Sequence, residues 1–187
     1  MIFTTTITFC KRFFMPYLLL LLLLCIGPAQ AAEVRQLDWD DLMPADWAPQ
    51  NPFDKLSPEQ LDNLSDDSAE ADRLMKEMQA ILASSPVVEN FNGERVKLPG
   101  FPIPLEGDGE RATELLLVPY FGACIHTPPP PANQIVYVRS SAGLVIEDMW
   151  QPVWIIGTLH AQSFSSAVGD AGYTLDAESI EIYTGEE

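Results

Sequence analysis

Residues 87–105 read Val87-Val88-Glu89-Asn90-Phe91-Asn92-Gly93-Glu94-Arg95-Val96-Lys97-Leu98-Pro99-Gly100-Phe101-Pro102-Ile103-Pro104-Leu105. Here the spacing of apolar residues changes from a helical period to short β-rich runs broken by turn chemistry, and it keeps that character to the C-terminus. Asn92-Gly93 between two apolar runs is the strongest short hairpin signal in the chain, because both central residues of a type I′ turn need positive φ. The predicted hairpin joins residues 87–91 to 94–105. Pro99, Pro102 and Pro104 lack the amide donor that a central strand needs, so they confine the second strand to a sheet edge or break it with bulges.

Downstream, strands are predicted over residues 114–120, 134–140, 153–164 and 173–183. Gly157 and Gly172 mark bends of the kind a closing barrel requires. No helical segment between these strands is long enough for a parallel crossover, which argues for antiparallel pairing. The predicted fold is mainly β (α+β): a small antiparallel barrel resembling the OB-fold over residues 86–187, with two N-terminal helices packed on one side.

The helices belong to residues 57–85, which with the barrel form one globular unit, 57–187. Ser57-Pro58-Glu59-Gln60 carries the hydroxyl, proline and returning amide of a capping box. Ser65 is the expected cap of a longer helix, with Asp66 and Asp67 in its first turn and Leu74, Met75, Met78, Ile81 and Leu82 on one face. Before them, residues 32–56 form an acidic, proline-punctuated strap carrying Trp39, Trp47 and Phe53, expected to lack regular structure and to lay its rings on its own domain.

At the start of the chain, Lys11 and Arg12 precede an apolar run that ends at Gly27-Pro28 and Ala29-Gln30-Ala31. That is the pattern of a signal peptide cleaved after about Ala31, and the run is too short for a comfortable membrane span. The mature protein is therefore expected in the periplasm with no stable membrane anchor. The full chain holds 10 Lys and Arg against 27 Asp and Glu, for a net charge of −17. A nucleic-acid phosphate backbone is repelled by such a surface, so nucleic acid is excluded as a partner. At 47 % hydrophobic and 10 % aromatic residues the chain is nonetheless too apolar to be disordered. Cleavage removes Cys10 and Cys25 and leaves Cys124 alone, so the mature chain forms no internal disulfide.

The constellation that points to chemistry is Cys124-Ile125-His126-Thr127, running into Pro128, Pro129, Pro130 and Pro131 and then Ala132-Asn133-Gln134. In extended backbone, residues two apart face the same way, so Cys124 and His126 would share a site. The proline run stiffens the loop and keeps it out of a sheet interior. Sulfur and imidazole suit zinc or copper, with His160 as the remaining histidine and carboxylates or solvent completing the shell. The competing reading is a packed cysteine and a histidine satisfied by backbone. A thiol nucleophile with its base is the third, and it lacks an orienting group or an oxyanion hole. Gly107-x-Gly109-x-x-Ala112 has the bare spacing of a dinucleotide fingerprint, but a strand follows it and Glu106, Asp108 and Glu110 would repel a pyrophosphate, so it is an acidic hairpin turn.

The run from Val118 to Val136, with Leu98-Pro99-Gly100-Phe101, Pro152-Val153-Trp154, Gly157-Thr158-Leu159, Ala171-Gly172-Tyr173 and the strap Asp38-Trp39-Asp40-Asp41-Leu42-Met43-Pro44, resembles a bacterial exported-protein family, that of domain of unknown function 3299. The resemblance spans nearly the whole mature chain. It implies no settled activity, and it suggests an association with ABC-type transporters of metal supply. On that basis Cys124 and His126 carry over as the metal positions, and Asn133 and Gln134 as polar groups that order the loop.

The sequence therefore leads to an exported, non-enzymatic binding or accessory protein that handles a soft or borderline metal ion for a transporter. The alternative is a metal-independent module that docks a periplasmic or membrane partner through the proline loop and the strap.

Overall fold

The structure, a computed structural model, describes residues 33–108, 111–123, 129–146, 148 and 150–185. Its strands are β1 (Arg35–Gln36), β2 (Arg95–Gly107), β3 (Arg111–Val118), β4 (Val136–Val145), β5 (Val153–His160), β6 (Phe164–Ser165), β7 (Asp170–Ala171) and β8 (Tyr173–Ile182). In space the order is β2-β3-β4-β8-β5, and β5 pairs back onto β2 to close a five-stranded barrel of the OB type. Four seams are antiparallel. The fifth, β4 to β8, is parallel and runs from Val136↔Tyr173 to Arg139↔Asp176. A helix is not needed for that crossover, because β5 and the segment after it supply its length.

Alternate residues of each strand point inward. Val96, Leu98, Leu115, Leu117, Val138 and Leu159 fill the barrel, and all are essentially inaccessible. The outer face of β3 and β4 carries a second cluster, Leu116, Val118, Ile135 and Tyr137. The β6–β7 hairpin lies over it: Phe164 stacks on Tyr137 with ring centroids 3.6 Å apart, and a Cβ on Gly169 would touch Ile135 Cδ1 at 3.4 Å.

The N-terminal helices form as predicted. In α1 (Pro58–Asp62), Ser57 and Gln60 close the capping box. In α2 (Ala69–Ala83) the cap is Ser68, whose Oγ accepts from Ala71 N–H, rather than Ser65, which bonds Asp67 instead. α2 buries Leu74 and Leu82 and runs beside a 3-10 turn at Pro52–Lys55, where Lys55 Nζ meets Glu77 Oε1 at 2.6 Å.

The Asn92-Gly93 hairpin does not form. Residues Glu89–Phe91 make a 3-10 turn, and Gly93, at φ 83°, directs the chain into β2. Backbone groups of the expected first strand and turn are taken elsewhere: Val88 N–H donates to the Tyr173 hydroxyl, and Gly93 N–H to Leu159 C=O. The start of β2 pairs with β5 instead, Arg95 opposite Thr158.

β2 is also not an edge strand, although it bulges at Glu106 as the prolines suggested. Its first half pairs with β5 and its second half with β3. Lys97 C=O accepts from Leu37 N–H on the β1 side, so by alternation the Pro99 nitrogen faces the same side, away from the β5 ladder. The Pro99 carbonyl there accepts the Trp39 indole N–H at 2.8 Å. Pro102 and Pro104 turn their nitrogens to the opposite edge, past the last β5 pair at Gly100↔Val153.

The strap, expected to lack regular structure, is part of the domain. It provides β1, parallel to β2 at Val96 and Lys97, and 3-10 turns at Trp39–Leu42 and Pro52–Lys55. Leu37 and Leu42 are buried in the barrel core. The described residues from Val34 onward form one unit, so the folded body takes in the strap as well as the barrel. The signal-peptide prediction lies outside the described residues. Among those described, no helix is long and apolar enough to cross a membrane.

Candidate functional site

Between β3 and β4 runs the loop with the Cys-x-His sequence. Cys124, His126 and Pro128 lie outside the described residues, and the structure describes the two ends of the loop. At the far end, Pro131 has the φ −61°, ψ 150° of polyproline II and leads into a 3-10 turn, Ala132–Gln134. Pro129 is half-buried and Pro130 buried. Asn133 is fully buried: its N–H donates to Ser85 Oγ, and its Nδ2 donates to Pro86 C=O at 2.9 Å. Gln134 Nε2 donates to Trp39 C=O at 2.8 Å, and Gly172 N–H to Ala132 C=O. Strap, helix end and barrel therefore hold this end of the loop from three directions.

His160 ends β5 on the outer face, with Nε2 3.2 Å from Asp176 Oδ2. Arg139 bonds the same carboxylate through Nε and its terminal nitrogen. The Arg139 guanidinium, with a smaller contribution from His160, holds the Asp176 carboxyl below the usual carboxylate range. Next to it, burial and the Glu114 carboxylate push the Tyr137 hydroxyl up to about 12. His160 thus shares the Asp176 carboxylate with Arg139 on the barrel wall. Among the described residues, no group of three His, Cys, Asp or Glu side chains is placed to hold a metal ion.

At the near end of the loop the chain leaves aromatic rings in solvent. Tyr120 and Phe121 are half exposed, and Trp150, in the β4–β5 connection, is 66 % exposed. Phe121 stacks on Trp150 at 4.4 Å and meets Phe101 edge-on at 6.1 Å. The arrangement follows from the barrel: Phe101 pairs with Val118, so the chain leaving β3 passes over it. Trp150 N–H donates to Asp148 Oδ1, which fixes the turn that presents the indole. Sequence reasoning passed over this rim. The available signal was three aromatic residues near prolines in two separate strand connections, Pro119-Tyr120-Phe121 and Trp150-Gln151-Pro152.

A second feature lies along the parallel seam. Past Arg139↔Asp176, β4 and β8 separate and open a cleft of about 640 Å³ lined by Glu114, Arg139, Ser140, Asp176 and Glu178 among others. A second, smaller one of about 200 Å³ has Val145, Ile146, Ile180 and Ile182 as walls, with Asp148 and Glu181 present.

The fold defines a small, closed β-barrel of the OB type whose exposed features are an aromatic rim and a split seam. The chain belongs to the family described as protein of unknown function DUF3299, whose model matches residues 39–182. It is similar to the crystal structure of a DUF3299 family protein from Pseudomonas aeruginosa PAO1, at 36 % identity and a TM-score of 0.62, over 83 % of this chain and 99 % of that one. Comparison with curated proteins returns no match.

Proposed function

We propose that this protein is an exported, non-enzymatic accessory barrel that docks a basic protein partner through the rim of Tyr120, Phe121 and Trp150. The observation that carries the reading is the Phe121–Trp150 stack, two large rings held in a defined geometry yet left in water. Rings ordered at the surface are typical anchors of protein interfaces, where Trp and Tyr dominate the binding energy. The −17 net charge selects a cationic partner surface and speeds its encounter. A periplasmically exposed component of an ABC-type transporter is one such partner. The strap is a poor docking element, since Trp39, Leu37 and Leu42 are already used inside the domain.

A photoreactive phenylalanine analogue in place of Trp150, in living cells, tests this against the same analogue in place of exposed Leu61. The expected result is one cross-linked protein of basic character from position 150 and none from position 61. With that partner purified, Trp150→Ala should weaken binding by about 2 kcal/mol, roughly 30-fold. Equal labelling from both positions, or unchanged affinity in Trp150→Ala, overturns the reading. Zinc or copper that co-purifies with the wild type and is lost in Cys124→Ser, without cross-linking at position 150, favours metal handling instead.

A further inference from the structure

We infer that the split between β4 and β8 accepts an extended, lysine-bearing apolar segment of a partner chain, which adds as a strand to the free edge of β8. The split has a structural cause in β4. Its register with β3 jumps from Glu114↔Arg139 to Ala112↔Leu144, so residues 140–143 bow out opposite Thr113. Gly143, at φ 69°, allows that path, and the Arg111 guanidinium holds it by donating to the Gly143 carbonyl at 3.2 Å. β4 is therefore drawn away from β8 just where their parallel pairing stops.

β8 continues to Ile182 with β5 on one side, and beyond Asp176 no described residue supplies a ladder partner on the other. An unpaired strand edge is a template for another chain, since its amides and carbonyls bond to any extended backbone of the right length. Two separate clefts have residues of β8 beyond Asp176 in their walls, one polar around Arg139 and one apolar around Val145 and Ile182. Val145 and Ile182 are 45 % and 51 % exposed, so an occupant of this cleft would bury them. The charge balance chooses the occupant. Five carboxylates, Glu114, Asp176, Glu178, Asp148 and Glu181, line the two clefts, against Arg139 on Asp176, Arg95 on Glu178 and Lys97 on Glu181, so among the described residues the acidic groups remain in excess. A segment with alternating apolar and basic residues places one set on Val145 and Ile182 and the other beside the carboxylates.

This inference shares with the docking reading only the idea of a partner chain, and it uses different residues, so the two fail separately. The test is fluorescence anisotropy of a labelled Lys-Val-Lys-Val-Lys-Val peptide titrated with the protein as isolated from cells. Saturable binding is expected, at least 10-fold weaker for the same peptide with N-methylated valine amides and for its Glu-for-Lys analogue. Val145→Lys and Ile182→Lys, both at exposed positions, should each weaken it at least 10-fold, and Trp150→Ala should leave it unchanged. Absence of saturable binding, or equal binding of the N-methylated peptide, overturns strand addition. Binding lost in Trp150→Ala but retained in both seam variants moves the occupant to the rim and overturns the seam as its site.

Discussion

Asn133 shows how much one side chain can decide. It is fully buried, its Nδ2 donates to the Pro86 carbonyl, and its Oδ1 has no hydrogen-bond partner among the described residues. A buried amide oxygen left unbonded costs free energy, so the site is strictly matched to the donor side of the amide. Asn133→Asp removes that donor and adds a negative charge in a buried position where, among the described residues, the side-chain oxygen has no hydrogen-bond partner. The variant is expected to unfold at least 3 kcal/mol more easily at neutral pH, measured by urea denaturation. The penalty should shrink as pH falls through the carboxylate range, because burial raises the pKa of the new acid in the folded state, and its protonated form can donate to Pro86 again. Asn133 was singled out from sequence for its place after the proline run, but its partners were not legible. They come from Ser85 and Pro86, some 47 residues away along the chain.

At the scale of elements, β2 and β5 show where local rules reach their limit. Three prolines in thirteen residues argue against a central strand, yet β2 is central because each proline nitrogen faces an edge where no ladder bond is missed. Which edge a nitrogen faces depends on register, and register is set by neighbours distant in sequence. The glycine signal was more direct. Gly157 lies at a bulge between β5 and β8, and a Cβ there would stand 2.3 Å from the Asp176 carbonyl oxygen and 2.7 Å from Leu175 Cδ2. Gly157→Ala is therefore expected to destabilise the barrel by about 2–3 kcal/mol, read as a lower midpoint in thermal unfolding. A variant as stable as the wild type would mean that the bulge relaxes freely. Asn92-Gly93 is the opposite case. A turn does form there, with Glu94 N–H donating to Phe91 C=O, but Asn92 at φ −63° and Gly93 at φ 83° make it type II rather than type I′, and tertiary hydrogen bonds claim Val88 and Gly93, so no first strand pairs across it.

For the whole molecule, the strap, the connector before β2 and the barrel are joined by one hydroxyl. Tyr173 is fully buried, accepts from Val88 N–H and donates to Leu42 C=O at 2.8 Å. Burial accordingly raises the pKa of its phenol, the effect of the Val88 hydrogen bond opposing it. Tyr173→Phe keeps the ring and strands two buried backbone groups. The expected loss is about 2–4 kcal/mol, accompanied by faster amide exchange at Val88 and along the strap; exchange unchanged there would show that the strap is held independently of this bridge. For the same reason, deletion of residues 32–56 removes Leu37 and Leu42 from the core and tests folding rather than partner binding, which makes rim and seam substitutions the informative variants.

By itself the amino-acid sequence determined what depends on near neighbours: the change from helical to strand periodicity after Pro86, the capped start of α1, the acidic turn between β2 and β3, the bends at glycine and a barrel of about this size. These follow from side-chain alternation, φ preference and capping, which act within a few residues. Tertiary structure alone decided the parallel β4–β8 seam and its opening, the capture of the strap, the pairing of His160 with Asp176 and the gathering of Phe101, Phe121 and Trp150 on one rim. Each of these is a meeting of residues far apart along the chain, brought about by barrel closure and the burial of apolar side chains, and no local propensity encodes which distant partner will be found.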